Sequence, residues 1–110
     1  MSGLAARRCV RVKKGSPPLA PEAAERLRAE VPGWTIRDGK RIEREFRFPD
    51  FKSALAFVDR SGALADAEDH HPDIHLSWGR ARIEVWTHAA GGLTENDFIL
   101  AAKIDALGAG

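Results

Sequence analysis

Trp34-Thr35-Ile36-Arg37-Asp38-Gly39-Lys40-Arg41-Ile42-Glu43-Arg44-Glu45-Phe46-Arg47-Phe48 is the stretch on which the fold turns. Asp38-Gly39 lies between two runs rich in strand formers, and a tight antiparallel turn needs the positive φ that this dipeptide accepts, so 34–37 and 40–48 read as a hairpin. Ile42, Phe46 and Phe48 alternate with Glu43, Glu45 and Arg47, which gives the second strand one buried and one wet face; Arg44 breaks the apolar series. The same pattern returns at 73–78 and 81–88, joined by a turn at Gly79-Arg80, with Ile83 and Val85 set against Arg82, Glu84, Trp86 and His88.

Helical signals separate and flank these pairs. Pro21 opens PEAAERLRAEV, with Leu19, Ala24, Leu27 and Val31 near helical spacing, and Pro32-Gly33 stops it. Asp50 can cap a helix running to about Glu68, in which Phe51, Leu55, Val58, Gly62 and Ala65 form one stripe. A last helix starts at Thr94 and turns Phe98, Ile99, Ala102 and Ala106 inward. The order α-β-β-α-β-β-α predicts an α+β fold: a four-stranded antiparallel sheet with three helices packed on one face.

The 110 residues suit one domain, and 44% hydrophobic with 30% charged residues is the composition of a globular chain without a bilayer-spanning run. The first residues lack the apolar run of a signal peptide, and Cys9 is the only cysteine, so a reducing, cytoplasmic setting is expected. Residues 1–16 hold five of the 17 basic residues (Arg7, Arg8, Arg11, Lys13 and Lys14) and no acid, leaving a mildly acidic body. Residues 1–18 therefore read as a basic, disordered tail whose deletion leaves folding and turnover nearly intact, and 19–110 as the domain. The body presents no basic face for nucleic acid.

Glu68-Asp69-His70-His71-Pro72-Asp73-Ile74-His75 holds three of the four histidines. Imidazole exchanges protons near neutral pH and also ligates metals, so the cluster admits two chemistries. For a metal, His71, Asp73 and His75 share one strand face, yet no Cys-x-x-Cys or His-Glu-x-x-His pattern accompanies them. His75, on the wet side of an edge strand, reads as simply exposed. For proton transfer, Pro72 places His70 and His71 at a helix exit, His88 ends a neighbouring strand, and Asp66 lies one turn before His70, where its carboxylate can orient that ring. Asp97 has two readings: the third helical position of a capping box opened by Thr94, or a member of the same site. The residues by themselves stop at an acid-base site built from histidines.

Asp66-x-x-x-His70-His71-Pro72, then Trp78, His88, Gly91-Gly92-Leu93-Thr94 and Asp97, resembles the signature of the pterin-4a-carbinolamine dehydratases. Pro32-Gly33-Trp34 and Glu45-Phe46-Arg47-Phe48 extend the resemblance over about residues 19–107, with Asp66 where the family often has Glu. The resemblance implies dehydration of 4a-hydroxytetrahydropterin to quinonoid dihydropterin and water, in tetrahydropterin recycling. It makes His70, His71 and His88 catalytic, and Asp66, Asp69, Trp86, Thr87, Ala89 and Asp97 substrate-binding or orienting. His71 and His88 are assigned direct proton transfer, and His70, held by Asp66, substrate positioning. It implies no metal or organic cofactor and a homodimer or homotetramer. The competing implication is a non-catalytic binding or assembly factor on the same fold, of the transcription-factor dimerisation or Rubisco assembly type.

Overall fold

A computed structural model describes residues 3–108; residues 1, 2, 109 and 110, which belong to the expected tail and domain ends, lie outside the described residues. The elements are α1 (Pro21–Arg28), β1 (Thr35–Arg37), β2 (Arg41–Arg47), α2 (Phe51–Glu68), β3 (Asp73–Ser77), β4 (Arg80–Val85) and α3 (Glu95–Asp105). The four strands form one sheet in the order β1-β2-β4-β3, every neighbour antiparallel. This is the α+β arrangement that the two hairpin patterns call for.

The first hairpin turns at Asp38-Gly39, at φ 54° and 66°, but Lys40, expected in the strand, belongs to the turn as well, since Arg37 pairs with Arg41. In the second, Ser77 pairs with Arg80, so the turn is Trp78-Gly79, one residue earlier than the alternation suggests, with Gly79 at φ 70°. β4 ends at Val85 instead of running to His88. Thr87 forms an isolated antiparallel bridge with Gly92, and His88–Ala90 make a 3-10 turn closed by Gly91 at φ 66°. Hydrogen bonds from Thr87 N to Gly92 O (3.0 Å) and from Gly92 N to Thr87 O (3.3 Å) fold the strand exit back on itself.

Ile42, Phe46, Ala81, Ile83 and Val85 supply the buried sheet face. Phe57 of α2 lies against Phe46 at 4.7 Å and Phe48 at 5.2 Å between ring centroids. This contact fixes the rotation of α2. Its buried stripe is Ala54, Phe57, Ser61, Ala65 and Glu68, whereas the expected stripe leads with Phe51 and Leu55, which are 42% and 44% exposed. Both stripes have helical spacing, and Phe57, the larger contact for the sheet, selects one of them. Arg44, the residue that interrupts the apolar series, lays its guanidinium over the Phe46 ring and donates to Asp105 Oδ1 at 2.9 Å, as does Trp34 Nε1 at 3.0 Å. A Cβ at position 33 would meet that guanidinium, so any larger residue there would oblige the Arg44 side chain to shift. Burial pushes the Asp105 carboxyl above its usual range, against the lowering effect of those two donors.

α3 is buried nearly all round, from Asn96 to Ala102 and at Ile104; Ala106, expected inward, caps the helix and is exposed. A helix apolar on every side needs a second cover, and residues 3–16 provide it. A 3-10 turn at Gly3–Ala6 buries Leu4 to 3% exposure, and Lys103 Nζ donates to Ala5 O at 3.0 Å. The expectation of a free, solvated terminus does not hold for these residues. They lack periodicity because backbone bonds to side chains of the body, not an amphipathic face, hold them.

Candidate functional site

The site lies where three chain ends meet: the exit of α2, the exit of β4 and the start of α3. Asp69 ends α2 in the left-handed region (φ 52°, ψ 41°), a conformation that a non-glycine residue adopts at some energetic cost. That turn redirects the chain, Pro72 keeps it extended, and His70 and His71 leave side by side. Across from them the folded-back exit of β4 presents Trp86, Thr87, His88 and Ala89. Together with Asp69 these residues line a cleft of about 290 Å³, near the lower end of the volumes that hold small ligands.

The three histidines have three different settings. His70 is largely buried, and its Nε2 lies 2.6 Å from Asp97 Oδ1. A carboxylate accepts, so Nε2 carries the hydrogen and a neutral ring keeps its lone pair on Nδ1. His71 is half exposed, with Nε2 at 2.8 Å from Asp66 Oδ1. His88 is exposed, stacks on Trp86 with ring centroids 3.8 Å apart, and its imidazole makes no hydrogen bond among the described residues. The pairing expected from sequence is thus exchanged: Asp66 serves His71, five residues on, because the left-handed turn at Asp69 swings His70 toward the core instead.

Asp97 carries both of its readings at once. Fully buried, it accepts from Thr94 N through Oδ2 at 2.8 Å, which completes the helix cap, and from the Thr87 hydroxyl at 2.9 Å through the same oxygen. Since Thr87 donates there, its oxygen accepts from the Thr94 hydroxyl at 2.7 Å. One carboxylate therefore ties the β4 exit, the α3 start and His70 together. Asp97 and Asp66 stand behind their histidines and do not line the cleft, whereas His70, His71, His88, Asp69, Trp86, Thr87 and Ala89 do.

Residues that the sequence pattern does not single out complete the site. Val10, Arg11, Val12 and Asn96 form the remaining wall. Cys9 N donates to Glu68 Oε1 at 2.8 Å, Val10 N to Asn96 Oδ1 at 2.9 Å, and Asn96 Nδ2 to Val10 O at 2.6 Å. Glu68 and Asn96 are both buried, and each is a neighbour in sequence of a site residue. Burial works to raise the Glu68 carboxyl, but the Cys9 amide and the Lys103 and Arg8 charges outweigh it and hold the group below its usual range. The only available signal was the polar character of Glu68 and Asn96 at positions that face inward. Burial, with Glu68 and Asp97 nearby, pushes the Cys9 thiol up to about 12, so this cysteine is no thiolate nucleophile. His75 lies on the open sheet face near Glu84, and among the described residues no three His, Cys, Asp or Glu side chains group closely enough to hold a metal ion.

A four-stranded antiparallel sheet covered by helices, with a histidine-lined cleft at one rim, defines a small α+β protein. Residues 17–107 match the family Pterin 4 alpha carbinolamine dehydratase, and the chain belongs to that family. A relative from Rubrobacter xylanophilus named "Putative pterin-4-alpha-carbinolamine dehydratase" is 52% identical over 107 residues, 97% of this chain and all of the relative. One of the same name from Methylococcus capsulatus is 48% identical over 96% of this chain and 94% of its own. These matches take in most of the N-terminal segment as well. Among solved structures, the transcriptional coactivator/pterin dehydratase from Brucella melitensis superposes with a TM-score of 0.78 at 32% identity, over 84% of this chain and 99% of that one. A pterin dehydratase-like protein described as a RuBisCO assembly factor in the alpha-carboxysome shares the fold, with a TM-score of 0.59 at 23% identity over 68% of this chain and 88% of its own. Among the described residues no helix is long and apolar enough to cross a membrane.

Proposed function

We propose that the protein eliminates water from 4a-hydroxytetrahydropterin to give quinonoid dihydropterin. The observation that carries this reading is the cleft itself, in which three imidazoles with different partners face one ligand-sized space. Elimination requires a base for a ring N–H proton and an acid for the departing hydroxyl, both working at one pH. General acid-base assistance typically contributes ~10²- to 10⁴-fold for each such group. His88, whose imidazole makes no hydrogen bond among the described residues, has both ring nitrogens available to substrate. His71, oriented by Asp66 at the cleft edge, is its complement. His70, whose Nε2 is committed to Asp97, positions the pterin through its remaining nitrogen. Asp69, Trp86, Thr87 and Ala89 bind the flat ring system. No metal or organic cofactor takes part.

The test is the rate at which enzymatically generated 4a-hydroxytetrahydropterin disappears with purified protein and chelator present. Acceleration over the spontaneous rate supports the reading. Activity that is lost to chelator and restored by zinc contradicts it, and no acceleration at all points to a binding or assembly role for this fold.

A further inference from the structure

The N-terminal segment does more than cover α3. Its residues 9–12 are bolted to the site by two buried side chains: Glu68 takes the Cys9 N–H at 2.8 Å, and Asn96 exchanges a reciprocal pair of hydrogen bonds with Val10, at 2.9 and 2.6 Å. The residue that follows this clamp is Arg11, and it lines the histidine cleft. Arg11 is the only lysine or arginine among the residues that do so. Arg7 and Arg8 are spent in ion pairs with Glu95 and Glu68, whereas Arg11 is exposed and makes no ion pair or hydrogen bond among the described residues.

Arg11 places a positive charge at the wall of the histidine cleft. Its presence makes chemical sense where the substrate brings a negative charge of its own. The 4a-hydroxypterin ring has none, so that charge must lie on a substituent leaving the cleft. Arg11 also borders a second cleft of about 470 Å³, which shares Val10, Val12 and Asn96 with the first and adds Lys13 and Thr94, together with Glu95, whose carboxylate is paired with Arg7.

We propose that Arg11 is a specificity-determining residue that reads an anionic substituent, carboxylate or phosphate, on the pterin as it passes from the histidine cleft toward Lys13. This assignment rests on the reading of the site as a pterin site. Guanidinium pairs with either anion through two parallel N–H donors, which gives preference for charge together with orientation.

The experiment measures equilibrium binding by the fluorescence of three stable pterins: neutral 6-hydroxymethylpterin, its phosphate ester, and pterin-6-carboxylate. The wild-type protein is expected to bind one or both anionic probes roughly two- to fivefold more tightly than the neutral one, the range for a solvent-exposed charged pair, with the gap narrowing as salt is added. The ratio of the two anionic affinities tells phosphate from carboxylate. Arg11→Gln should abolish the preference, Arg11→Lys should retain part of it, and Lys14→Gln, the same charge change outside both clefts, should retain all of it. Thermal melts check that each variant is folded. A preference that survives Arg11→Gln, no preference in the wild type, or no binding of any probe overturns the assignment. Dehydration by the same wild-type preparation is assayed separately, so a protein that binds with the expected preference but does not turn over contradicts the dehydratase reading and leaves Arg11 in place.

Discussion

Replacing Asp97 separates structure from chemistry, because its two oxygens do different jobs. In Asp97→Ala, three donors lose an acceptor that has no solvent access: Thr94 N at 2.8 Å, the Thr87 hydroxyl at 2.9 Å and His70 Nε2 at 2.6 Å. Losing a cap alone costs ~0.5 to 2 kcal/mol, and stranding further buried donors raises the expected loss to ~3 to 5 kcal/mol. Asp97→Asn is the sharper test. The amide oxygen can replace Oδ2 and keep the Thr94 and Thr87 donors, which leaves the NH₂ facing His70. Two donors cannot bond, so the His70 ring must move its hydrogen to Nδ1 and accept through Nε2. Stability should then fall by only ~1 to 2 kcal/mol, while kcat/KM per folded molecule falls roughly 10-fold or more, mainly through KM, because the ring nitrogen that His70 offers to position the pterin now carries the hydrogen. Urea melts and initial rates across pH on the same preparations measure both quantities. A folded Asp97→Asn protein with the wild-type rate and pH profile would refute the reasoning and reduce Asp97 to a helix cap.

Deleting residues 1–12 removes Leu4, which is 3% exposed, together with the clamp on Glu68 and Asn96; the protein should lose about 3 kcal/mol or more in denaturant melts and most of its turnover, and an unchanged melt would show that the segment does not pack. Glu68→Gln should destabilise the protein by ~1 to 3 kcal/mol at neutral pH. Since the carboxyl of Glu68 lies below its usual range when folded, that difference should be complete above the unfolded value of ~4.3 and vanish as pH falls through the lower folded one, and a pH-independent difference in melts would contradict the linkage. β3 is an edge strand with one row of backbone groups unpaired, and Phe51 and Leu55 leave an apolar stripe on α2, so sedimentation is expected to find at least a dimer; a 12.0 kDa species alone at micromolar concentration would refute this.

The legible parts of this fold are those that local chemistry decides. Asp38-Gly39 can hardly be anything but a turn between alternating strands, and Pro72 after His71 fixes a helix exit whatever the rest of the chain does. The rotation of α2 was less accessible, because Phe51-Leu55 and Phe57-Ser61 both keep helical spacing, and only the aromatic contacts with Phe46 and Phe48 choose between them. The histidine pairing required the handedness of one residue, Asp69, which a sequence pattern does not express. Asp97 bonds to His70 across 27 positions of chain, and a contact of that range leaves no periodic trace. The N-terminal segment was illegible for a related reason: Glu68 and Asn96 hold its backbone, so its own side chains did not have to follow a pattern.

The most direct test of the account is the dehydration rate of the His70→Ala, His71→Ala and His88→Ala proteins beside the wild type, each verified as folded, with enzymatically generated 4a-hydroxytetrahydropterin as substrate. The account predicts that loss of His71 or His88 lowers kcat by ~10²- to 10⁴-fold, while loss of His70 acts mainly through KM. Wild-type kcat in both the His71→Ala and the His88→Ala protein would contradict it, since neither imidazole assigned to proton transfer would then carry the elimination.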